Sequence, residues 1–297
     1  MQIFFEVVLP VILVFTLGFV IQKWKQVDIK PVSTVAIYVM TPCLVFETIY
    51  HATLDMQYVY MLIFAFTLLF SLVLINKIIA FFFRLSPETE TGIILSTSFM
   101  NVGNYGTPIV LFAFGEEGFA YGVSLMVIQS VIMNSFGVYF ASKASGNMRQ
   151  ALKTVLTMPA TWALIAALLA KLIAYEMPMA VTGVTEIVGA ATIPTVMIIL
   201  GMQLANIPLQ GFEWGKISYS AVVRLLVSPL IAVGITSVLP VDPLLAQVLI
   251  LTAAMPSAAN IVIFAVQFNA QPRLVSSTTF VTTLLSILTV TVLLMVL

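Results

Sequence analysis

"NVGNYGTPIV", from Asn101 to Val110, lies between stretches that are almost wholly apolar. It gathers two Asn, two Gly, a Tyr, a Thr and a Pro. Gly and Pro weaken a helix, and Pro also withholds a backbone donor. In lipid, amides and carbonyls freed by such a break cannot stay bare. They are tolerated where they line a cavity or pack within protein. The stretch therefore reads as an interruption in a membrane helix that serves a site.

The setting supports a membrane. Of 297 residues, 61% are hydrophobic and 8% are charged, and mean hydropathy is +1.13. Soluble domains are closer to ~45–50% apolar and ~25% charged. A soluble chain would need a polar skin that this one lacks, so the lipid bilayer is its solvent. Net charge is zero, which leaves no basic footprint for nucleic acid. A single cysteine, Cys43, excludes an internal disulfide, and a single histidine, His51, excludes a His-based metal cluster or hydrolytic set. Gly103-Asn104-Tyr105-Gly106 is not followed by the Lys-Ser/Thr of a phosphate loop. No metal, cofactor or enzymatic chemistry is expected. Glu6 stands where a signal peptide carries Lys or Arg, so the first apolar stretch reads as a retained helix.

A spanning helix takes about 20 mostly apolar residues. Polar punctuation divides the chain into ten such stretches: 4–22, 31–50, 57–83, 88–113, 118–141, 154–174, 183–205, 215–239, 243–268 and 272–296. Cations gather in the odd-numbered connections: Lys23, Lys25 and Lys30, then Arg84, then Lys143, Arg149 and Lys153, then Lys216, then Arg273. The even connections hold only Lys171, while Glu116, Glu117, Glu176 and Asp242 fall on that side. The positive-inside rule puts the odd connections in the cytoplasm and both termini outside a plasma membrane.

Self-similarity divides the ten spans into halves, 1–145 and 150–297. Pro194 in "ATIPTVMIILG" follows Pro42 in "VMTPCLVFETI" by 152 positions, and Asn260 follows Pro108 by the same interval. Five helices per half is odd, so the second half is inverted in the membrane. This plan recurs in secondary transporters. The fourth span carries Asn101, Gly103, Asn104, Gly106 and Pro108; the ninth carries Pro256, Ser257 and Asn260 in "AAMPSAANIV". Paired Gly/Pro-interrupted segments at equivalent positions point to a transport site. The two broken helices are expected to cross near the midplane. There, half-helix amino ends would offer amides to an anionic group, with Asn101, Asn104 and Asn260 beside them. Tyr105, Thr107 and Pro108 belong to the same cluster.

"SFMNVGNYGTPIVLFAFGEEG", "AAMPSAANIVIFAVQFN" and "VMTPCLVFETI" together resemble the auxin efflux carrier family, over essentially the whole chain. The resemblance implies an all-α fold like that of sodium/proton antiporters and bile-acid symporters. Spans 1, 2, 6 and 7 would form a scaffold, and spans 3–5 and 8–10 a transport group that moves like an elevator. It also implies carboxylate-bearing substrates, malate- or malonate-like or auxin-like, and favours a homodimer built on the scaffold helices. The chain departs from plant members near the third span: "DMQYVYMLIFAF" has Asp55 but no lysine within two turns, and the long cytoplasmic loop is missing.

Other polar residues in apolar surroundings complete the candidate set. Thr41, Pro42 and Cys43, and Pro194 by the repeat, are expected to face substrate from the scaffold side. An intramembrane carboxylate is a functional candidate, and Glu47 is one that would carry a proton. Arg224, the cation deepest in any span, is a partner for a substrate carboxylate or for helix carbonyls. Gln129, Asn134, Ser276 and Thr278 are candidates for coupling a proton or sodium ion, against the alternative of helix–helix hydrogen bonding. The function expected is secondary transport of a small organic anion. The rivals are a sodium-coupled symporter of bile-acid-like anions and an anion channel, for which a ring of polar groups is wanted but not seen.

Overall fold

The computed structural model describes residues 4–52, 55–141, 157–207 and 212–297. Lys143, Arg149, Lys153 and the divide between the proposed halves lie outside the described residues. The described chain is helical throughout: α1 (Phe4–Lys25), α2 (Ile29–His51), α3 (Met56–Phe82), α4 (Pro87–Ser98), α5 (Val102–Ala141), α6 (Pro159–Leu172), α7 (Met179–Ala205), α8 (Trp214–Val238), α9 (Pro243–Ala253), α10 (Ile261–Gln267) and α11 (Pro272–Leu294). Seven of these (α1, α2, α3, α5, α7, α8 and α11) are long and apolar enough to cross a membrane, and α6 and α9 are shorter apolar helices. The outward faces are apolar, with Leu17, Leu172, Leu230 and Leu288 all strongly exposed.

At 1.5 Å per residue, α5 would run about 60 Å if straight, twice the hydrocarbon thickness. It is not straight. Gly115 turns the chain at φ 67°, ψ −164°, a conformation that suits glycine, and the exposed Glu116 and Glu117 follow. The expected fourth span is thus built from α4 and the first limb of α5, and the expected ninth from α9 and α10.

Prolines leave a repeated mark. Widened turns at Phe4–Val8, Ala36–Met40, Val102–Gly106 and Val223–Val227 each end two residues before a proline: Pro10, Pro42, Pro108 and Pro229. A proline ring clashes with the carbonyl four residues back and offers no N–H. One extra residue in the preceding turn accommodates both defects. Side chains then take up loosened carbonyls: the Thr41 hydroxyl donates to Ala36 O at 2.9 Å and Thr107 to Gly103 O at 2.6 Å. Pro194, inside α7, shows no such widening.

The broken segments meet. Asn101 N donates to Pro256 O at 2.9 Å and Ala258 N to Phe99 O at 2.9 Å, an antiparallel pairing of Met100 with Ser257. Each break thereby supplies partners for the other's freed backbone groups. Phe99, Met100, Val102, Met255 and Ala258 bury their side chains around the pairing.

Helix α7 packs against α1 and α2, and α2 against α6; α8 packs on α3, α9 and α11, and α4 on α3 and α11. The α1–α7 contact depends on glycine. A Cβ on Gly201 would lie 2.0 Å from Phe15 O, and one on Gly18 2.1 Å from Ile198 O. Small residues let membrane helices approach backbone to backbone. We expect Gly201→Ala to force the pair apart and cost about 1–3 kcal/mol of stability. Gly183→Ala, where a Cβ meets open space, should change stability by less than about 0.5 kcal/mol. Thermal unfolding of the detergent-solubilised variants checks the contrast, and equal behaviour would refute the close-packing account.

Candidate functional site

Beside the crossing lies a cavity of about 230 Å³. Its floor is the break itself, Phe99 through Asn104, with Ala258 and Asn260 from the second break. One wall is a single face of the second limb of α5: Met126, Gln129, Ser130, Met133 and Asn134. Positions three and four apart share a helix face, so these five necessarily look the same way. Thr41 of α2, Val196 of α7 and Met158–Ala160 close the other side. Among the described residues no Asp, Glu, Lys, Arg or His lines it.

Asn101 is 5% exposed, and its side-chain Nδ2 has no hydrogen-bond partner. Its own carbonyl accepts from Gly106 N at 2.9 Å, one residue beyond the α-helical spacing, at the widened amino end of α5. Asn134 is 2% exposed; its Nδ2 donates to Ser130 O at 2.7 Å, and its Oδ1 has no partner. Buried polar atoms are normally satisfied, so an unpartnered amide atom on each of two residues of one lining is unusual. Asn104 and Asn260 are half-buried on the same lining. Gly103 packs against Met126, where a Cβ would sit 3.2 Å from the sulfur.

The rest of the expected cluster supports the crossing from behind. Tyr105 is buried, stacks at 5.3 Å on Phe15, and its hydroxyl lies 2.8 Å from Ser286 Oγ. Gly106 faces Met255, where a Cβ would come within 3.3 Å. Thr107 and Pro108 are buried off the cavity. Pro256 supplies the carbonyl that receives Asn101 N. Ser257, fully buried, accepts from Thr279 Oγ1 at 3.3 Å and donates its N–H to Thr282 Oγ1 at 3.3 Å. Pro42 and Cys43 lie off the lining and Pro194 is exposed, although Thr41 and Val196 beside them do line it. Thr278 is buried with an unpartnered hydroxyl. Ser276 lines a second, largely apolar cavity of about 470 Å³ together with Arg273 and Thr279, and Ile263 borders both cavities. Glu47 lies away from both; its carboxylate accepts from Thr185 Oγ1 at 2.5 Å and meets His51 Nε2 at 3.0 Å. Among the described residues no group of His, Cys, Asp and Glu could hold a metal ion.

Arg224 is fully buried and off the cavity. Its guanidinium donates to Thr97 O at 2.7 Å, to Ala253 O and to Ser228 Oγ. Thr97 lies in the last turn of α4, and Ala253 ends α9. One cation thus caps the carboxyl ends of both broken helices. Each end carries roughly half a negative charge, so a single positive charge offsets the pair. The sequence offered helix carbonyls as one partner for Arg224; that they belong to two different helices could not be read from it. The wall on α5 did leave a trace: Gln129, Ser130 and Asn134 recur on one face of an apolar helix.

Comparison with known proteins now fits this geometry. The model of the membrane transport protein family matches residues 3–294. The chain belongs to this family, the auxin efflux carriers. It is a multi-pass membrane transport protein and not an enzyme. Similar relatives include an "Uncharacterized transporter" of Methanothermobacter thermautotrophicus, 26% identical over 95% of this chain and 94% of its own length. Another from Methanocaldococcus jannaschii is 25% identical over 96% of both. A "Putative malonate transporter" of Rhizobium meliloti is 23% identical over 64% of this chain and 62% of its own.

For this transport protein we expect Arg224→Met to leave the Thr97 carbonyl bare and the Ala253 carbonyl with the Ser228 hydroxyl alone, and to cost about 3–5 kcal/mol. Arg224→Lys, which keeps the charge but not the fork, should lose less. Thermal unfolding in detergent tests both, and wild-type stability of Arg224→Met would remove the capping role.

Proposed function

We propose that this protein is a secondary carrier of small organic anions that works by alternating access, with the substrate carboxylate held at the crossing. The observation that carries the reading is the cavity at the amino end of α5, uncharged in its described lining, with Asn101 on that lining and its buried Nδ2 unpartnered. Helix amino ends favour anions, and the opposing carboxyl ends are already neutralised by Arg224. The name of the Rhizobium relative, which specifies malonate, is consistent with a carboxylate substrate.

On this reading ten spans form two inverted halves. The bend at Gly115 divides α5 between the fourth and fifth spans, and the two breaks occupy the fourth and ninth. Helices α1, α2, α6 and α7 serve as scaffold, consistent with their mutual packing, and the remainder moves as an elevator in a plasma membrane with both termini outside. The cavity draws on Met158–Ala160, Ile263, Phe264 and Asn134, all in span halves that lead to the cation-rich connections. Transport is either uniport or coupled to a proton or sodium ion, with Glu47, Gln129, Asn134, Ser276 and Thr278 as the groups to examine for coupling, and a homodimer forms through the scaffold. Arg224, with its hydrogen bonds on helix carbonyls, acts through the crossing rather than on substrate.

The test is flux into liposomes for a panel of mono- and dicarboxylates and indole-acetate, with and without sodium and a pH gradient. A saturable flux for one acid class is expected. Asn101→Ala and Asn260→Ala should each lower it by at least about tenfold, the effect of losing one or two buried hydrogen bonds. Wild-type flux in both variants would take the crossing out of the mechanism.

A further inference from the structure

Two residues that line one cavity each carry a buried amide atom without a partner, and the two atoms are of opposite character. Asn101 Nδ2 is a donor without an acceptor, and Asn134 Oδ1 is an acceptor without a donor. Both residues are at least 95% buried. The Asn134 amide is held in this sense by its own Nδ2, which donates to Ser130 O at 2.7 Å and approaches Met158 Sδ at 3.4 Å. An inverted amide would set its oxygen against the Ser130 carbonyl. Among the described residues the remaining polar lining is neutral, and none is a basic side chain that would balance a second negative charge.

From this arrangement we infer that the transported species is a monoanion carrying a hydrogen-bond donor as well as its carboxylate, with Asn134 as the residue that selects for the donor. The inference rests on the carrier reading above and narrows it. The carboxylate takes the N–H of Asn101 at the amino end of α5. A hydroxyl, or the acid proton of a singly protonated diacid, donates to Asn134 Oδ1. A plain monocarboxylate leaves Asn134 Oδ1 buried and unpaired. A fully ionised diacid does the same and brings a second charge into a cavity whose described lining holds no cation to meet it. A site built to hydrogen-bond a substrate hydroxyl discriminates strongly against the analogue that lacks it, because its own buried group is left unpaired.

The experiment compares matched acids in counterflow, in proteoliposomes with equal pH inside and out. Lactate and propionate differ by one hydroxyl, and malonate supplies a diacid whose singly protonated form falls about tenfold per pH unit above its second ionisation. The expected kcat/KM ratio of lactate to propionate is at least about tenfold. In Asn134→Leu that ratio should fall close to one, whatever the absolute rates. Malonate flux should follow the singly protonated fraction as pH rises. The wild-type ratio and the malonate series stand alone if Asn134→Leu does not fold. A ratio near one, the result if a retained water satisfies Asn134 equally beside either acid, overturns the donor requirement and leaves the carrier intact. Malonate flux that is flat in pH does the same. Failure to move any of the three acids, in protein shown to be folded, would count against the carrier reading itself and take the inference with it.

Discussion

One guanidinium makes the crossing tenable. Two helices that stop in the middle of a hydrophobic body present carboxyl ends with roughly half a negative charge each. Left bare, their last carbonyls would be as costly there as any unsatisfied polar group in lipid. Arg224 reaches Thr97 O and Ala253 O together and is steadied by Ser228. The Ser228 hydroxyl also donates to Ala253 O at 2.8 Å. A buried cation is itself expensive to desolvate. Here two helix-end carbonyls and a hydroxyl offset part of the expense through Nη1 and Nη2, while Nε is buried without a partner.

That cap gives the crossing a polarity. Negative ends are gathered and neutralised at Arg224, while the amino end of α5 faces a cavity whose described lining has no Asp, Glu, Lys, Arg or His. The electrostatic asymmetry is thus carried by backbone and amide groups rather than by charged residues. In the proposed carrier such a site would attract an anion through hydrogen bonds and partial charges, and would release it again because no full countercharge holds it. The hydroxyls behind the crossing, Thr279, Thr282 and Ser286, fasten Ser257 and Tyr105 from α11. They keep the breaks in register without entering the cavity.

The cavity is also a seam. Thr41 and Val196 come from helices packed with one another through glycine contacts: Gly18 and Gly201 between α1 and α7, Gly189 against Leu44 of α2. Asn101, Asn104, Asn134 and Asn260 come from the other helices. In the proposed elevator this is where the two groups part, and the Met126, Met133 and Met158 side chains on the seam are of the adaptable kind that can re-pack as they do.

Composition and punctuation determined a great deal on their own. Apolar runs of span length, broken by Gly, Pro and polar residues, specify helices in lipid, because each helix satisfies its own backbone. The break at Asn101–Gly106 was legible because those residues are poor in a helix wherever they occur. Its partner at Pro256–Asn260 was legible because the pattern recurs. Which member of each cluster faces ligand was not legible. Asn101 and Asn104 line the cavity, while Tyr105 and Thr107 turn into the core. That choice depends on how the widened turn before Pro108 rotates the helix and on what stands opposite. Arg224 shows the same limit. Its charge and depth were plain from the sequence, but its partners lie 127 and 29 residues away. Only the tertiary structure could bring them together, because the two helix ends become neighbours only after both helices have been broken and paired.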